Sequence, residues 1–342
     1  MPFLGVDPAP GTQQRARIEL GEALDGSPIT LPVAVLRGSH DGPTVYLQAG
    51  LHGDELTGID ICRRALASLD AAALKGTVAV VPLANPPAHR SRSRGWRHEE
   101  RGPIDANRVF PGAERGLMTE RIVHTLFQEF VAQADFTLDL HSALDGCTMA
   151  PFVYIDPDDD ETGTLALREG AGKAFGTPYL YYKGRGQKLG TSDMARALRA
   201  QADLLGKASI SAEMGESLRV TRDFVPLGVQ GVLNVLCFLG VLDGDPVPPP
   251  APARVFRTIT LAHAERGGGL RWRIAHRDDV RAGQPIADIV DVFGDPVATV
   301  ESPADGVLLR QMLWGTVATG GGRGHEAIQA ISPPVATVPH SI

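Results

Sequence analysis

Apolar and polar residues follow two rhythms along this chain, and the change from one to the other divides it. Residues 44–49, "TVYLQA", are a short apolar run of the kind that forms a buried strand. The segment "LTGIDICRRALASLD" (56–70) then places Ile59, Cys62, Leu66 and Leu69 on one helical face. "TVAVVPL" (77–83) predicts a second strand, and a long polar loop covers roughly 84–116. "LMTERIVHTLFQEFVAQA" (117–134) predicts an amphipathic helix and "FTLDL" (136–140) a third strand. "FVYI", "PYLYY" and "ASISAE" read as further strands, separated by helical segments near 161–175 and 192–205. "GVQGVLNVLCFLGVL" (228–242) predicts an apolar helix packed on a sheet. Strands alternating with helices predict an α/β fold, a mainly parallel or mixed sheet sandwiched by helices.

The rhythm changes at "DGDPVPPPAPARV" (243–255), a proline-rich stretch expected to act as a semi-rigid linker. Beyond it helical periodicity disappears, and short strand-like pieces such as "RTITLAHA", "PIADIVDVF" and "GVLLRQML" are punctuated by Gly and Pro. The expected organisation is a first domain over 1–243, a linker over 244–254 and a small all-β domain over 255–342.

Composition narrows the classes. The chain has 342 residues, 43% of them hydrophobic and 21% charged, as in ordinary globular proteins. A net charge of −7 argues against a nucleic-acid partner. The basic stretch "HRSRSRGWRHEERG" does not reverse that, because only Trp96 interleaves its charges. No apolar run reaches the roughly 18 residues that a membrane span needs. The N-terminal segment lacks the organisation of a signal peptide. Cys62, Cys147 and Cys237 are widely spaced and odd in number, so no disulfide framework is expected and a reducing, cytoplasmic location is. Cys147 is expected to be a small buried residue, not a ligand or nucleophile.

Candidate chemistry centres on "AGLHGDELTG" (49–58). In parallel α/β sheets ligands gather at the carboxyl ends of strands, and His52 follows the strand 44–49 closely. Glu55, three residues on at the start of the next helix, can point at the same spot. Gly50 and Gly53 permit a tight turn. An H-x-x-E alone is common by chance, and two ligands make a weak site. "FTLDLHS" supplies a third, His141, at the end of another strand. Two His and one carboxylate form a hydrolytic zinc set. Asp139, two residues before His141 on the same strand face, is placed to orient it.

Six motifs, "GLHGDELTG", "NPPAHRSRSR", "DANRVFPG", "MTERI", "DLHS" and "AEMGE", occur in this order. Together they resemble the succinylglutamate desuccinylase/aspartoacylase family over about residues 44–240. The resemblance implies a zinc carboxypeptidase-like fold, one Zn2+ per chain, and hydrolysis of the amide bond of small N-acyl amino acids. It implies His52, Glu55 and His141 as the zinc ligands, Glu213 as general base and Arg94 as the group that polarises the scissile carbonyl. Asn107 and Arg108 match the pair that binds the substrate carboxylate. Ala106 stands where the family usually has Leu, a small packing change. The C-terminal segment "DDVRAGQPIADIVDVFG…VESPADGVLL" looks like a biotinyl/lipoyl carrier of the barrel-sandwich type. Such a carrier needs a lysine at a hairpin tip, yet the last lysine is Lys207. The expectation is therefore a structural or gating module, not a swinging arm.

The chemistry of these residue types supports the same reading. Zinc acidifies a bound water, a carboxylate can shuttle its proton, and guanidinium groups stabilise an oxyanion or grip a carboxylate. Glu100 and Glu216 are alternative bases nearby in sequence. Arg92, Arg97, Arg101, Lys183 and Arg185 are further cations available to an anionic acyl group. The expected function is zinc-dependent deacylation of a small N-acyl amino acid, of deacetylase or desuccinylase type, with no nucleic-acid or membrane partner and homo-oligomerisation left open. The rivals are a metallocarboxypeptidase acting on peptide C-termini and a non-catalytic binding protein of the same fold.

Overall fold

The computed structural model describes residues 2–143, 146–156, 163–182, 194–320 and 328–331. The first part contains strands β1 (Thr12–Glu22), β2 (Pro28–Arg37), β3 (His40–Ala49), β4 (Lys75–Val81), β5 (Phe136–His141), β6 (Cys147–Ile155), β7 (Tyr179–Tyr182) and β8 (Ala208–Glu216). Its helices are α1 (Leu56–Ser68), α2 (Pro86–Ser91), α3 (Met118–Leu126), α4 (Leu165–Phe175), α5 (Leu198–Leu204) and α6 (Val225–Phe238). The all-β remainder holds β9 (Arg254–Phe256), β10 (Ile259–Ala262), β11 (Gly268–Trp272), β12 (Asp279–Val280) and β13 (Pro285–Val290). It continues with β14 (Pro296–Glu301), β15 (Gly306–Met312), β16 (Thr316–Val317) and β17 (Ile328–Ile331).

Strands β4, β3, β5 and β8 are consecutive parallel neighbours at the centre of a mixed sheet. β5 is buried throughout and β8 nearly so, while β3 and β4 bury their C-terminal halves, as expected where helices cover both faces. One face packs against α1, α4 and α6 through Ile59, Ile61, Phe175, Val232 and Val235. The other packs against α3 and the N-terminal segment through Phe3, Val6, Ile122, Leu126 and Phe130. The predicted helical face of α1 is as expected: Ile59 and Cys62 are buried, and Leu66 and Leu69 pack against the same core. The single helix expected over 117–134 is α3 followed by a π-helical stretch over Phe127–Val131.

Two features lie outside the local hydrophobic pattern. Ahead of Thr44, β1 and β2 form an antiparallel pair, and β2 joins the sheet alongside β4. Beyond the linker, the C-terminal strands do not all form a sheet of their own. β15 pairs antiparallel with β6, and β9 pairs parallel with β7, so among the described residues the main sheet reaches thirteen strands. β14, β13, β11 and β16 form a separate four-stranded antiparallel sheet. The proline-rich stretch is also tied down, because the Asn234 amide donates to the Val247 carbonyl and accepts from its N–H, at 2.9 and 2.8 Å. Among the described residues no helix is long and apolar enough to cross a membrane.

Candidate metal centre and active site

The chain turns sharply where β3 ends. Gly50 has φ +67°, a conformation that strains any residue with a Cβ. Gly53 lies against the backbone of α2, where an added Cβ would come within 2.0 Å of the Ala88 carbonyl carbon. This turn presents His52 on the loop and Glu55 at the N-cap of α1. His141 is the last residue of the neighbouring strand β5. All three side chains are buried, and their ligand atoms lie within 4.8 Å of one another.

Both imidazoles aim Nδ1 at the same carboxylate. His52 Nδ1 is 2.6 Å from Glu55 Oε1, and His141 Nδ1 is 2.8 Å from Glu55 Oε2. Each Nε2 is held from behind by a second carboxylate, Asp105 at 3.0 Å for His52 and Asp139 at 2.7 Å for His141. Holding the far nitrogen in this way fixes the tautomer and ring orientation of a metal-binding histidine. Asp139 is itself held by Gln48 Nε2 at 2.8 Å, its register partner on β3, and Gln48 accepts from the Tyr46 hydroxyl at 2.7 Å. The orienting role expected of Asp139 thus has its contact. Asp105 does the same for His52, and the sequence reading did not assign it, although it heads the quoted "DANRVFPG".

Electrostatics fit a cation here. Burial opposes the charge on Glu55, yet His52 and His141 hold its carboxyl well below the usual range. Burial likewise opposes the charge on His141, but Asp139 and Glu55 hold its pKa well above the usual value. Asp105 is depressed against burial by Arg94 and His52. Glu55, Asp105 and Asp139 gather three carboxylates around the two imidazoles, and a cation held there would offset negative charge that burial otherwise makes expensive. The donor set, two imidazole nitrogens and one carboxylate, is the one zinc takes in hydrolytic centres.

A family model for the succinylglutamate desuccinylase/aspartoacylase catalytic domain matches residues 41–239. The chain belongs to this family. It is 31% identical over 289 residues to an N-alpha-acetyl-L-2,4-diaminobutyric acid deacetylase from Halomonas elongata, covering 82% of this chain and 80% of that one. Among solved structures, a succinylglutamate desuccinylase/aspartoacylase from Rhodobacter sphaeroides superposes with TM-score 0.81 at 25% identity, over 94% of this chain and 96% of that one. The product-bound ectoine utilization protein EutE (DoeB) of Ruegeria pomeroyi shares the fold, with TM-score 0.82 at 22% identity over 97% of both chains.

The other residues that the family pattern singles out gather around the same spot. Arg94 donates from Nε to Asp105 at 2.9 Å and from a terminal nitrogen to Glu55 Oε1 at 3.3 Å. Glu213 on β8 pairs in register with His141, so both side chains leave the same face of the sheet. Burial and the charge of Glu55 raise its pKa, against the pull of His141, Arg310 and His52. Asn107 and Arg108 follow Asp105 in a short 3₁₀ turn, capped by Asp105 accepting from the Asn107 N–H. Asn107 accepts the Leu198 N–H at 2.9 Å through its side-chain carbonyl, so its NH2 is the group it can offer a carboxylate. Arg108 is half-buried, and burial with the nearby Arg94 and Arg199 charges lowers its pKa against Asp105.

Glu100 is exposed, and Glu216 sits one strand position off the Glu213 face, ion-paired with Arg219 at 2.8 Å. Arg92, Arg97 and Arg101 are exposed. Lys183 and Arg185 lie outside the described residues. Cys147 is a buried small side chain, as expected. The structure adds one cation: Arg199 of α5, stacked 4.4 Å over the Tyr154 ring and paired with Asp156. The short apolar rhythm of α5 gives no hint of that placement.

Proposed function

We propose that this protein is a zinc-dependent amidohydrolase that removes the acyl group from a small N-acyl amino acid. The observation that carries the reading is the buried His52–Glu55–His141 set with a carboxylate behind each imidazole. His52, Glu55 and His141 would hold one zinc ion. When bound, that ion supplies Lewis-acid polarisation and an acidified water.

The chain's own groups supply the rest. Glu213 takes the proton from the attacking water and returns it to the leaving amine, a role favoured by its raised pKa. Arg94, fixed by Asp105, donates to the carbonyl oxygen as negative charge develops there. Arg108 and the Asn107 NH2 grip the substrate carboxylate. The neighbouring Arg94 and Arg199 charges make an anion welcome beside Arg108. Burial of the histidines and Glu55 keeps bulk water from screening these contacts.

The Halomonas relative makes an N-acetyl diamino acid the first substrate to try. Residues 1–243 would form the hydrolase unit. Residues 255–342 would serve a structural or gating role, since the tip between β13 and β14 reads Asp291-Val292-Phe293-Gly294-Asp295, without an acylatable lysine. The test is amine release from N-acetyl-, N-succinyl- and N-formyl-amino acids and short peptides, with and without chelator. Chelator-sensitive release from an acyl-amino acid is expected. Cleavage of peptides alone would favour a carboxypeptidase, and about one zinc per chain without any release would favour a binding protein.

A further inference from the structure

The basic stretch between α2 and Asn107 holds one buried carboxylate that the chemistry above does not use. Glu99 is 6% exposed, although Arg97, His98, Glu100 and Arg101 around it are exposed. A carboxylate is kept at such depth only where donors compensate it. Here the donors come from the first turn of α3. Glu99 Oε1 accepts the Met118 N–H at 3.1 Å, and Oε2 accepts the Thr119 N–H at 3.0 Å together with the Thr119 hydroxyl. A helix leaves such N–H groups without a partner of its own, and its start favours negative charge. α3 is a firm post to hold, because Ile122, Val123 and Leu126 are sunk in the core.

The loop that carries Glu99 closes at its base beside the metal centre. The Gly53 N–H donates to the Ser93 carbonyl at 3.0 Å, tying the start of the loop to the turn that presents His52 and Glu55. Gly95 lies so near Ile104 that an added Cβ would come within 2.4 Å of its carbonyl oxygen. The flanking residues Arg94 and Asp105 are joined through their side chains at 2.9 Å. Towards the tip, the Glu99 N–H donates to the Trp96 carbonyl at 3.2 Å and the Gly102 N–H to the Glu99 carbonyl at 2.9 Å. Residues 95–104 contain no helix or strand. An excursion of that kind moves unless its tip is tied to something rigid, and Glu99 makes that tie.

We propose that Glu99 is a positioning residue: it clasps the 95–104 loop to the start of α3 and so keeps Arg94 and Asp105 in place at the metal centre. This rests on the reading of Arg94 as the group that polarises the carbonyl and of Asp105 as the support behind His52. A residue that only capped α3 would resemble Glu120, which accepts the Leu117 N–H at 2.9 Å at the same helix end but belongs to the helix itself. Comparing the two carboxylates separates the roles.

The test compares full-length wild type, Glu99→Gln, Glu99→Asp, Glu120→Ala and Arg94→Gln on N-acetyl-2,4-diaminobutyrate. Melting temperature, zinc affinity and tryptic cleavage after Arg97 and Arg101 are measured on the same samples. Glu99→Gln turns an NH2 towards N–H donors, and it is expected to lower kcat roughly 10–100-fold, as loss of a supporting contact does. KM should change less than kcat. Zinc affinity should fall as Asp105 loosens behind His52, and cleavage after Arg97 and Arg101 should quicken whether or not the substrate is the right one. Glu99→Asp keeps the charge but shortens the reach; a smaller loss of the same kind is expected, and it carries the test if the glutamine variant does not fold. Glu120→Ala should lower the melting temperature while kcat and resistance to trypsin stay at the wild-type level. A Glu99→Gln protein that melts earlier but keeps wild-type kcat, zinc affinity and trypsin resistance would overturn the proposal, and so would an equal loss of kcat in Glu120→Ala. Inactive Arg94→Gln beside fully active Glu99→Gln would sink this inference alone. Fully active Arg94→Gln would sink the reading of Arg94 and this inference with it.

Discussion

The carboxyl edge of β3, β5 and β8 and the separate sheet of β14, β13, β11 and β16 handle charge in opposite ways. At the first, Glu55, Asp139, His52 and His141 are buried, and each is held by at least two partners. At the second, charges stay near water: the Arg273–Asp288 pair, at 2.7 Å, has its arginine side chain 48% exposed. The hairpin tip there even leaves Val292 and Phe293 about as exposed as a side chain can be, at 94% and 88%. Exposed pairs contribute little to stability, whereas buried charge is retained only where something compensates it. The difference marks where buried charge is compensated by close partners and where charge is left to the solvent.

The comparison breaks most visibly at the ligands. Glu55→Ala or His141→Ala is expected to remove stoichiometric zinc and bring hydrolysis down to background, checked by metal analysis and turnover together. Glu213→Gln should keep its zinc and lose roughly 10²–10⁴-fold in kcat, the usual worth of a positioned proton carrier. Asp139→Asn leaves the ligand atoms in place but loosens His141, so zinc affinity should fall roughly 10–100-fold in a competition titration. Gly53→Ala forces a methyl into the α2 backbone and should lower stability by about 1–3 kcal/mol in denaturant unfolding. Arg273→Ala, at the opposite extreme, should leave both turnover and melting temperature unchanged; a clear fall in either would blur the contrast between the two regions.

Much of the first region was legible in the sequence. His52, Glu55 and His141 stand directly after short apolar runs, so strand ends and ligand spacing could be read together. Asp139 followed from strand alternation alone. Asp105 was hidden because its contact to His52 spans 53 residues through a loop with no periodicity. The β1–β2 pair and the junction of β15 with β6 were illegible for the same reason. Local rhythm reports which residues form a strand, and says nothing of which distant strand it will join. The proline-rich stretch suggested a break between two units, yet strand pairing runs across it.

The central claim is that buried His52, Glu55 and His141 hold a zinc ion for amide hydrolysis. The most direct measurement is zinc stoichiometry and amine release from N-acetyl-2,4-diaminobutyrate on one purified sample, before chelation, after chelation and after zinc is restored. The account predicts about one zinc per chain, in keeping with a single three-ligand set, and release that disappears with the metal and returns with it. Release that persists in fully chelated, zinc-free protein would contradict it.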